Sequence, residues 1–91
     1  IYLDTAPKLL RSLRLGLDAR DATAVHRAAH SLKSSSANLG ALELAALCKE
    51  LETMGRTQAL DQAGPILAKL EIDYTTVQRL LQDELQANSK A

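Results

Sequence analysis

Leucine and alanine recur at intervals of three and four residues along almost the whole of this 91-residue chain. That spacing gathers apolar side chains on one side of an α-helix, whereas a half-buried strand would need strict alternation. Four such stretches follow one another, separated by capping and turn-forming residues. The pattern therefore predicts an all-α protein built from four amphipathic helices.

Two prolines help to place the first and last of these helices. The first covers Leu3–Asp18, and because proline fits best in a first turn, Pro7 predicts a start at positions 4–5. The fourth and longest covers Asp61–Leu85, and Pro65 again falls in a first turn if Asp61 is the N-cap.

Capping residues delimit the two middle helices. Asp21 is a good N-cap for the second helix, which is expected to end at positions 38–39 with Gly40 as a left-handed stop. The third helix follows at once and is expected to close at Gly55 and Thr57.

Short connections make consecutive helices antiparallel neighbours, so the predicted architecture is an antiparallel up-down four-helix bundle. Each helix contributes one apolar stripe to the core. In chain order, the predicted core positions are Ala6, Leu10, Leu13 and Leu17; Val25, Ala28, Ala29, Leu32 and Ser36; Leu44, Leu47, Cys48 and Leu51; and Leu67, Leu70, Tyr74, Val77 and Leu81. We expect the Ser36 hydroxyl to bond back to a carbonyl of its own helix.

The length suits one small domain, residues 1–91, with a single core. The chain opens on Ile1 without an initiator methionine, and we expect a fragment whose N-terminal helix is truncated. The polar residues 86–91 are expected to form a frayed tail.

Composition argues against several classes of protein. Eleven basic and eleven acidic residues cancel, so no overall field favours nucleic acid or anionic lipid. Two tyrosines, with no phenylalanine or tryptophan, give no stacking platform for single strands. The lone cysteine, Cys48, fits a reducing compartment. No apolar run approaches the length of a membrane span.

One histidine stands out because it lies opposite the apolar stripe of the second helix. At 100° per residue, His30 points away from the stripe, and its neighbours on the polar side include His26, Lys33, Ser34 and Ala37. A histidine in that position faces water, and small residues beside it leave room for another macromolecule.

The turn at Gly40 predicts what lies across from His30. Residues equidistant from the turn share a height, which brings Glu52 close, and side chains lean toward each helix N-terminus. Glu52 is then the acceptor best placed for an imidazole N–H, which leaves the other ring nitrogen free as a nucleophile. Lys33, one turn along, would attract a phosphoryl group on the ring.

These residues carry a resemblance to a known family. The run from His30 to Ala41, His-Ser-Leu-Lys-Ser-Ser-Ser-Ala-Asn-Leu-Gly-Ala, and the later Leu-Ala-Ala-Leu-Cys-Lys-Glu-Leu-Glu ending at Glu52 closely resemble histidine-containing phosphotransfer (HPt) domains. The resemblance implies that His30 is phosphorylated, that Lys33 stabilises the phosphoryl group and that a polar side chain at Glu52 orients the imidazole. The position after the lysine is commonly glycine in the family and is Ser34 here.

The resemblance also implies a function. An HPt domain takes a phosphoryl group from the aspartyl phosphate of one receiver domain and passes it to another, as a module of a multistep phosphorelay. No phosphate-binding loop or kinase motif is present, so no kinase activity of its own is expected. No cofactor is expected, because Mg²⁺ would belong to the receiver. Receiver docking is assigned to His26, Arg27, Ser34 and Ala37.

The same resemblance implies a setting. It places the domain in the cytoplasm, as the C-terminal part of a membrane-bound hybrid sensor kinase. As an isolated domain it is expected to be monomeric, with no contact to nucleic acid or membrane.

Two other functions fit some of the same residues. An interaction-only bundle would dock a partner without chemistry, and it would tolerate loss of His30. A metal-binding bundle could use His26 and His30, spaced i, i+4, with Glu52 as a third ligand, although a structural zinc needs a fourth. Taken singly, Lys33 could be a solvated cation, and Glu52 could pair with Arg56 one turn along.

Overall fold

The computed structural model of the chain describes residues 2–90, with side chains over residues 2–84. Within these residues the helices are α1 (Tyr2–Asp18), α2 (Ala22–Leu39), α3 (Leu42–Thr57) and α4 (Ala63–Lys90). A short 3₁₀ helix, Leu60–Gln62, precedes α4.

Contacts between helix ends establish the topology. Tyr2 at the start of α1 bonds Ser36 near the end of α2, and Gly55 near the end of α3 lies against Ala22 at the start of α2. Leu42 at the start of α3 lies beside Leu80 in the C-terminal half of α4. Neighbouring helices therefore run in opposite directions, and the predicted all-α four-helix bundle is confirmed.

Both ends of α2 are fixed by the residues that the sequence indicates. The Asp21 side chain accepts a hydrogen bond from the Ala24 main-chain N–H at 3.1 Å, as an N-cap does. At the other end Gly40 has φ of 90°, and its N–H bonds the Ala37 carbonyl while that of Ala41 bonds Ser36. The left-handed glycine satisfies the last carbonyls of α2 and turns the chain directly into α3.

The outer helices differ from their predicted boundaries. Helix α1 begins at Tyr2 and carries Pro7 in its interior rather than in its first turn. Pro7 is exposed, and the Tyr2 side chain packs against the core, so tertiary contacts hold the turn that proline weakens. Asp61 is not the N-cap of α4 but lies in the 3₁₀ helix before it.

Helix α4 also continues past the predicted end at Leu85 to Lys90. The sequence predicts a frayed tail over residues 86–91. The side chains of residues 86–90, and the whole of residue 91, lie outside the described part of the chain.

The predicted closure of α3 is wrong in one respect. Gly55 does not end the helix but lies buried inside it, and the left-handed residue after Thr57 is Gln58, with φ of 59°. A β-carbon on Gly55 would lie 2.7 Å from the main-chain nitrogen of His26. The glycine is therefore required by the close approach of α3 to α2.

The core follows the predicted stripes, most fully in the two middle helices. Buried residues of α2 and α3 are Val25, Ala28, Ala29, Leu32, Ser36, Leu44, Leu47, Cys48, Leu51 and Gly55. Burial raises the pKa of the Cys48 thiol to about 12, as expected for a cysteine that packs as a small apolar residue. Val77 and Leu81 of α4 are half-buried, because this helix of 28 residues extends beyond its shorter neighbours.

The partner of the buried Ser36 hydroxyl differs from the one expected. Its Oγ lies 3.1 Å from the hydroxyl of Tyr2 on α1. The bond therefore joins α2 to α1 instead of closing back on α2.

None of the helices in the described part of the chain combines the length and apolar content that a bilayer crossing requires.

Candidate functional site

His30 lies on the outward side of α2, opposite the residues that α2 buries. Its side chain is 61% exposed, while Ala29 beside it is fully buried. The helical periodicity is the cause, because the residues that face the core recur every three or four positions and His30 falls between them. The imidazole is therefore accessible to a second macromolecule.

Glu52 on α3 reaches across to the imidazole and to a lysine at the same time. His30 Nδ1 lies 2.5 Å from Glu52 Oε2, and Lys33 Nζ donates to Oε1 at 2.8 Å. The Glu52 side chain is only 16% exposed. Side chains of α2 thus bond both carboxylate oxygens of Glu52. These bonds replace the ion pair with Arg56 that the sequence also allows.

The electrostatics of this cluster decide which ring nitrogen carries the proton. The hydrogen bond from Lys33 is the largest influence and lowers the pKa of Glu52; burial opposes it, and the weaker effect of the His30 bond lowers the pKa further. An ionised carboxylate can only accept hydrogen bonds. In the neutral imidazole the proton of His30 therefore sits on Nδ1, and Nε2 keeps its lone pair.

Lys33 is held differently from the solvated cation that the sequence allows. Its side chain is 30% exposed, and its ammonium contacts Glu52. One carboxylate therefore holds both the imidazole and the ammonium, which keeps a positive charge beside the ring.

His26, assigned to docking by the sequence, faces α3 as well as solvent. The ring is half-buried, and its Nδ1 lies 3.1 Å from the main-chain oxygen of Glu52. The rings of His26 and His30 are nearly parallel, at 19°, with centroids 6.4 Å apart. The structure thus places this histidine within the cluster around Glu52.

The other predicted docking residues lie where a partner can reach them. Arg27, Ser34 and Ala37 are all exposed. Ser34 and Ala37 line an open groove between α2 and α3 that begins at Lys33. Arg27 lies outside the lining of this groove.

The α3 wall of that groove was not anticipated from the sequence. It consists of Leu42, Ala45, Ala46 and Lys49, and Leu42 is 71% exposed. A leucine two residues after the stop at Gly40, outside the core stripe of α3, was the available signal. The groove is mainly apolar, with a lysine on each wall.

The geometry gives no support to the metal-binding alternative. Among the described residues, no group of three or more histidines, cysteines or acidic residues is arranged to hold a metal ion. The candidate third ligand, Glu52, has both oxygens engaged by His30 and Lys33.

A helical bundle that presents an exposed, oriented imidazole beside a lysine is the arrangement of a phosphohistidine carrier, and the comparisons agree. Residues 1–89 match the sequence model of the Hpt domain. The fold is similar to the crystal structure of histidine-containing phosphotransfer protein B (HptB) from Pseudomonas aeruginosa PAO1, with a TM-score of 0.92 and 37% sequence identity. That similarity covers 94% of this chain and 75% of the other. A search of the curated proteins gave no match.

The chain therefore belongs to the Hpt domain family. It is a phosphotransfer carrier of phosphorelay signalling, in which Hpt domains pair with receiver domains.

Proposed function

We propose that His30 is the residue that carries the phosphoryl group. The observation that supports this most is the Nδ1 contact to Glu52, which leaves Nε2 of an exposed imidazole free to attack. Within the described part of the chain, His26 is the only other histidine, and it is half-buried.

The transfer step follows from that tautomer. The lone pair of His30 Nε2 attacks the phosphorus of a receiver aspartyl phosphate, forming the N–P bond as the P–O bond to the aspartate breaks. The aspartate leaves as a carboxylate with the electron pair. The ring becomes cationic and keeps its Nδ1 proton, which the ionised Glu52 stabilises. Attack by the aspartate of a second receiver reverses these changes.

Lys33 has a separate role in the proposal. Its ammonium, held beside the ring by Glu52, turns toward the phosphoryl oxygens once they arrive and neutralises part of their charge. Glu52 then remains with the cationic ring. In the phosphorylated state the Lys33 ammonium therefore faces the phosphoryl oxygens, and the Glu52 carboxylate faces the cationic ring of His30.

The receiver docks over His30 and the groove beside it. Ser34 and Ala37 are small, exposed and on the groove wall, so a partner surface can come close to the ring. Arg27 and His26 flank the same side of α2 one turn earlier. In this proposal the receiver brings Mg²⁺, and the domain contributes no cofactor.

We also propose that the domain acts as a monomer in the cytoplasm, attached to a membrane-bound sensor kinase, without binding nucleic acid. The balanced charge of the chain supports the last point. One small docking surface serves two receivers in turn, which suits a monomeric carrier.

Incubation with a phosphorylated receiver tests the assignment of His30. We expect phosphate that is labile in acid and stable in base, as for a phosphoramidate, and no label in His30→Ala. Label that survives in His30→Ala, or the stability of a phosphoester, would overturn the assignment. Binding of the receiver without any transfer would instead favour an interaction-only bundle.

A further inference from the structure

We infer that His26 is a positioning residue for the phosphoryl acceptor, acting through the main chain of Glu52. The inference rests on the proposed function of His30. It adds to the role in docking that the sequence suggests for this histidine.

The contact between His26 and Glu52 determines which ring nitrogen of His26 donates the hydrogen bond. Its Nδ1 lies 3.1 Å from the main-chain oxygen of Glu52, and a carbonyl oxygen can only accept. The Nδ1 of His26 therefore carries the proton and donates it to α3. The bond joins two helices at the residue whose carboxylate orients His30.

A glycine makes this bond possible. Gly55 lies one turn after Glu52 on α3, and a β-carbon on it would lie within 3 Å of His26 main-chain atoms. The two backbones approach closely at this level, so an imidazole on α2 can span the gap to a main-chain carbonyl. A larger residue at Gly55 would separate the helices and lengthen the contact.

Glu52 is consequently held by α2 through its main chain as well as through its carboxylate. His26 holds its main chain, and His30, one helical turn further on, bonds its carboxylate. The two rings are nearly parallel, with centroids 6.4 Å apart, so they reach α3 side by side. If the main-chain contact is lost, the Glu52 carboxylate keeps its bond from Lys33 but is less firmly placed against the ring, so its selection of the Nδ1–H tautomer of His30 weakens.

The decisive experiment measures that tautomer in the unphosphorylated protein, from the ¹⁵N chemical shifts of the His30 ring. His26→Leu removes the donor, whereas His26→Asn keeps an amide N–H near the place of Nδ1. We expect His26→Leu to lower the Nδ1–H population of His30 and His26→Asn to restore most of it. Val25→Ala is the matched control, because it loosens the same turn of α2 from inside the core and keeps the His26 imidazole.

Phosphorylation rates give the second readout. We expect His26→Leu to accept phosphate about five- to tenfold more slowly, because one orienting hydrogen bond is lost. The rate should recover in part in His26→Asn. Unchanged His30 shifts and rate in a folded His26→Leu protein would overturn the inference. A Val25→Ala protein that shifts the tautomer equally would show a merely structural effect, which also overturns it. Absence of phosphate on wild-type His30, with the tautomer response intact, would refute the proposed function alone.

Discussion

Three side chains of α2 converge on Glu52, a single residue of α3. His30 and Lys33 bond its two carboxylate oxygens, and His26 contacts its main-chain carbonyl. Charge explains why one carboxylate can serve both His30 and Lys33, since an ionised carboxylate accepts several hydrogen bonds at once. At this scale the chemistry of the site depends on a few contacts, and each can be removed separately.

Replacing Lys33 tests the cation beside the phosphoryl group. We expect Lys33→Ala to slow transfer tenfold or more, because a charge-assisted contact is worth about 1.5–3 kcal/mol. Glu52→Ala should slow it less, since water can bond the exposed imidazole. Rapid-quench measurements against a phosphorylated receiver check both, with Lys33→Arg as the charge-keeping control. Wild-type rates in both alanine variants would show that neither residue takes part.

The lowered pKa of Glu52 predicts how stability depends on pH. A carboxyl group whose pKa is lower in the folded state stabilises the fold above its unfolded pKa and loses that contribution as the pH falls. Urea unfolding should find wild type more stable than Glu52→Gln at neutral pH. The difference should vanish as the pH falls from about 4.5, the ordinary value, through the lower folded one. Glu50→Gln, which changes an exposed carboxylate two positions away, is the control, and a difference independent of pH would contradict the ion pair.

At the scale of the elements, α2 carries the site because both of its ends and one of its sides are fixed. Asp21 caps its start and Gly40 ends it, while its core stripe packs against α1 and α3. A helix restrained in this way cannot rotate His30 into the core. The placement of the imidazole is therefore a property of the whole helix, and the approach of α3 then adds Glu52.

The close approach of α2 and α3 can be tested at Gly55. A methyl group there would meet main-chain atoms of Ala22 and His26 at 2.7–2.9 Å, and such atoms cannot move aside alone. We expect Gly55→Ala to lower the free energy of unfolding by roughly 1–3 kcal/mol, despite the better helix propensity of alanine. Gly64→Ala is the matched control, because a β-carbon at Gly64 meets nothing within 4 Å. Urea denaturation measures both, and equal stabilities would show that the helices can separate without cost.

At the scale of the whole molecule, the bundle presents the exposed imidazole of His30 near an open groove. The groove lies between α2 and α3 and begins at Lys33, one helical turn after His30. Neither helix alone forms this surface.

Bulky residues on the groove wall should block transfer without unfolding the protein. Ser34→Tyr and Ala37→Arg change exposed positions, where substitutions rarely alter stability by more than ~0.5 kcal/mol. We expect both to abolish phosphorylation by a receiver while thermal unfolding stays nearly unchanged. Ser34→Gly should improve access and cost roughly 0.5–1 kcal/mol of helix stability.

The control for these variants is Ala68→Arg, at an exposed position on α4 away from the groove. It should transfer phosphate at the wild-type rate. If both bulky variants did the same, the receiver would have to approach from another side of the bundle.

The sequence by itself determined what depends on local pattern: four helices, the cap at Asp21, the stop at Gly40 and the outward direction of His30. Helical periodicity and capping act over a few residues, so they can be predicted without the fold. Only the tertiary structure decided what depends on distances between helices. It placed Gly55 inside α3, joined Ser36 to Tyr2 of another helix, and turned His26 toward α3. These contacts depend on how closely two backbones approach, and that distance is set by the packing of the whole core rather than by any one segment.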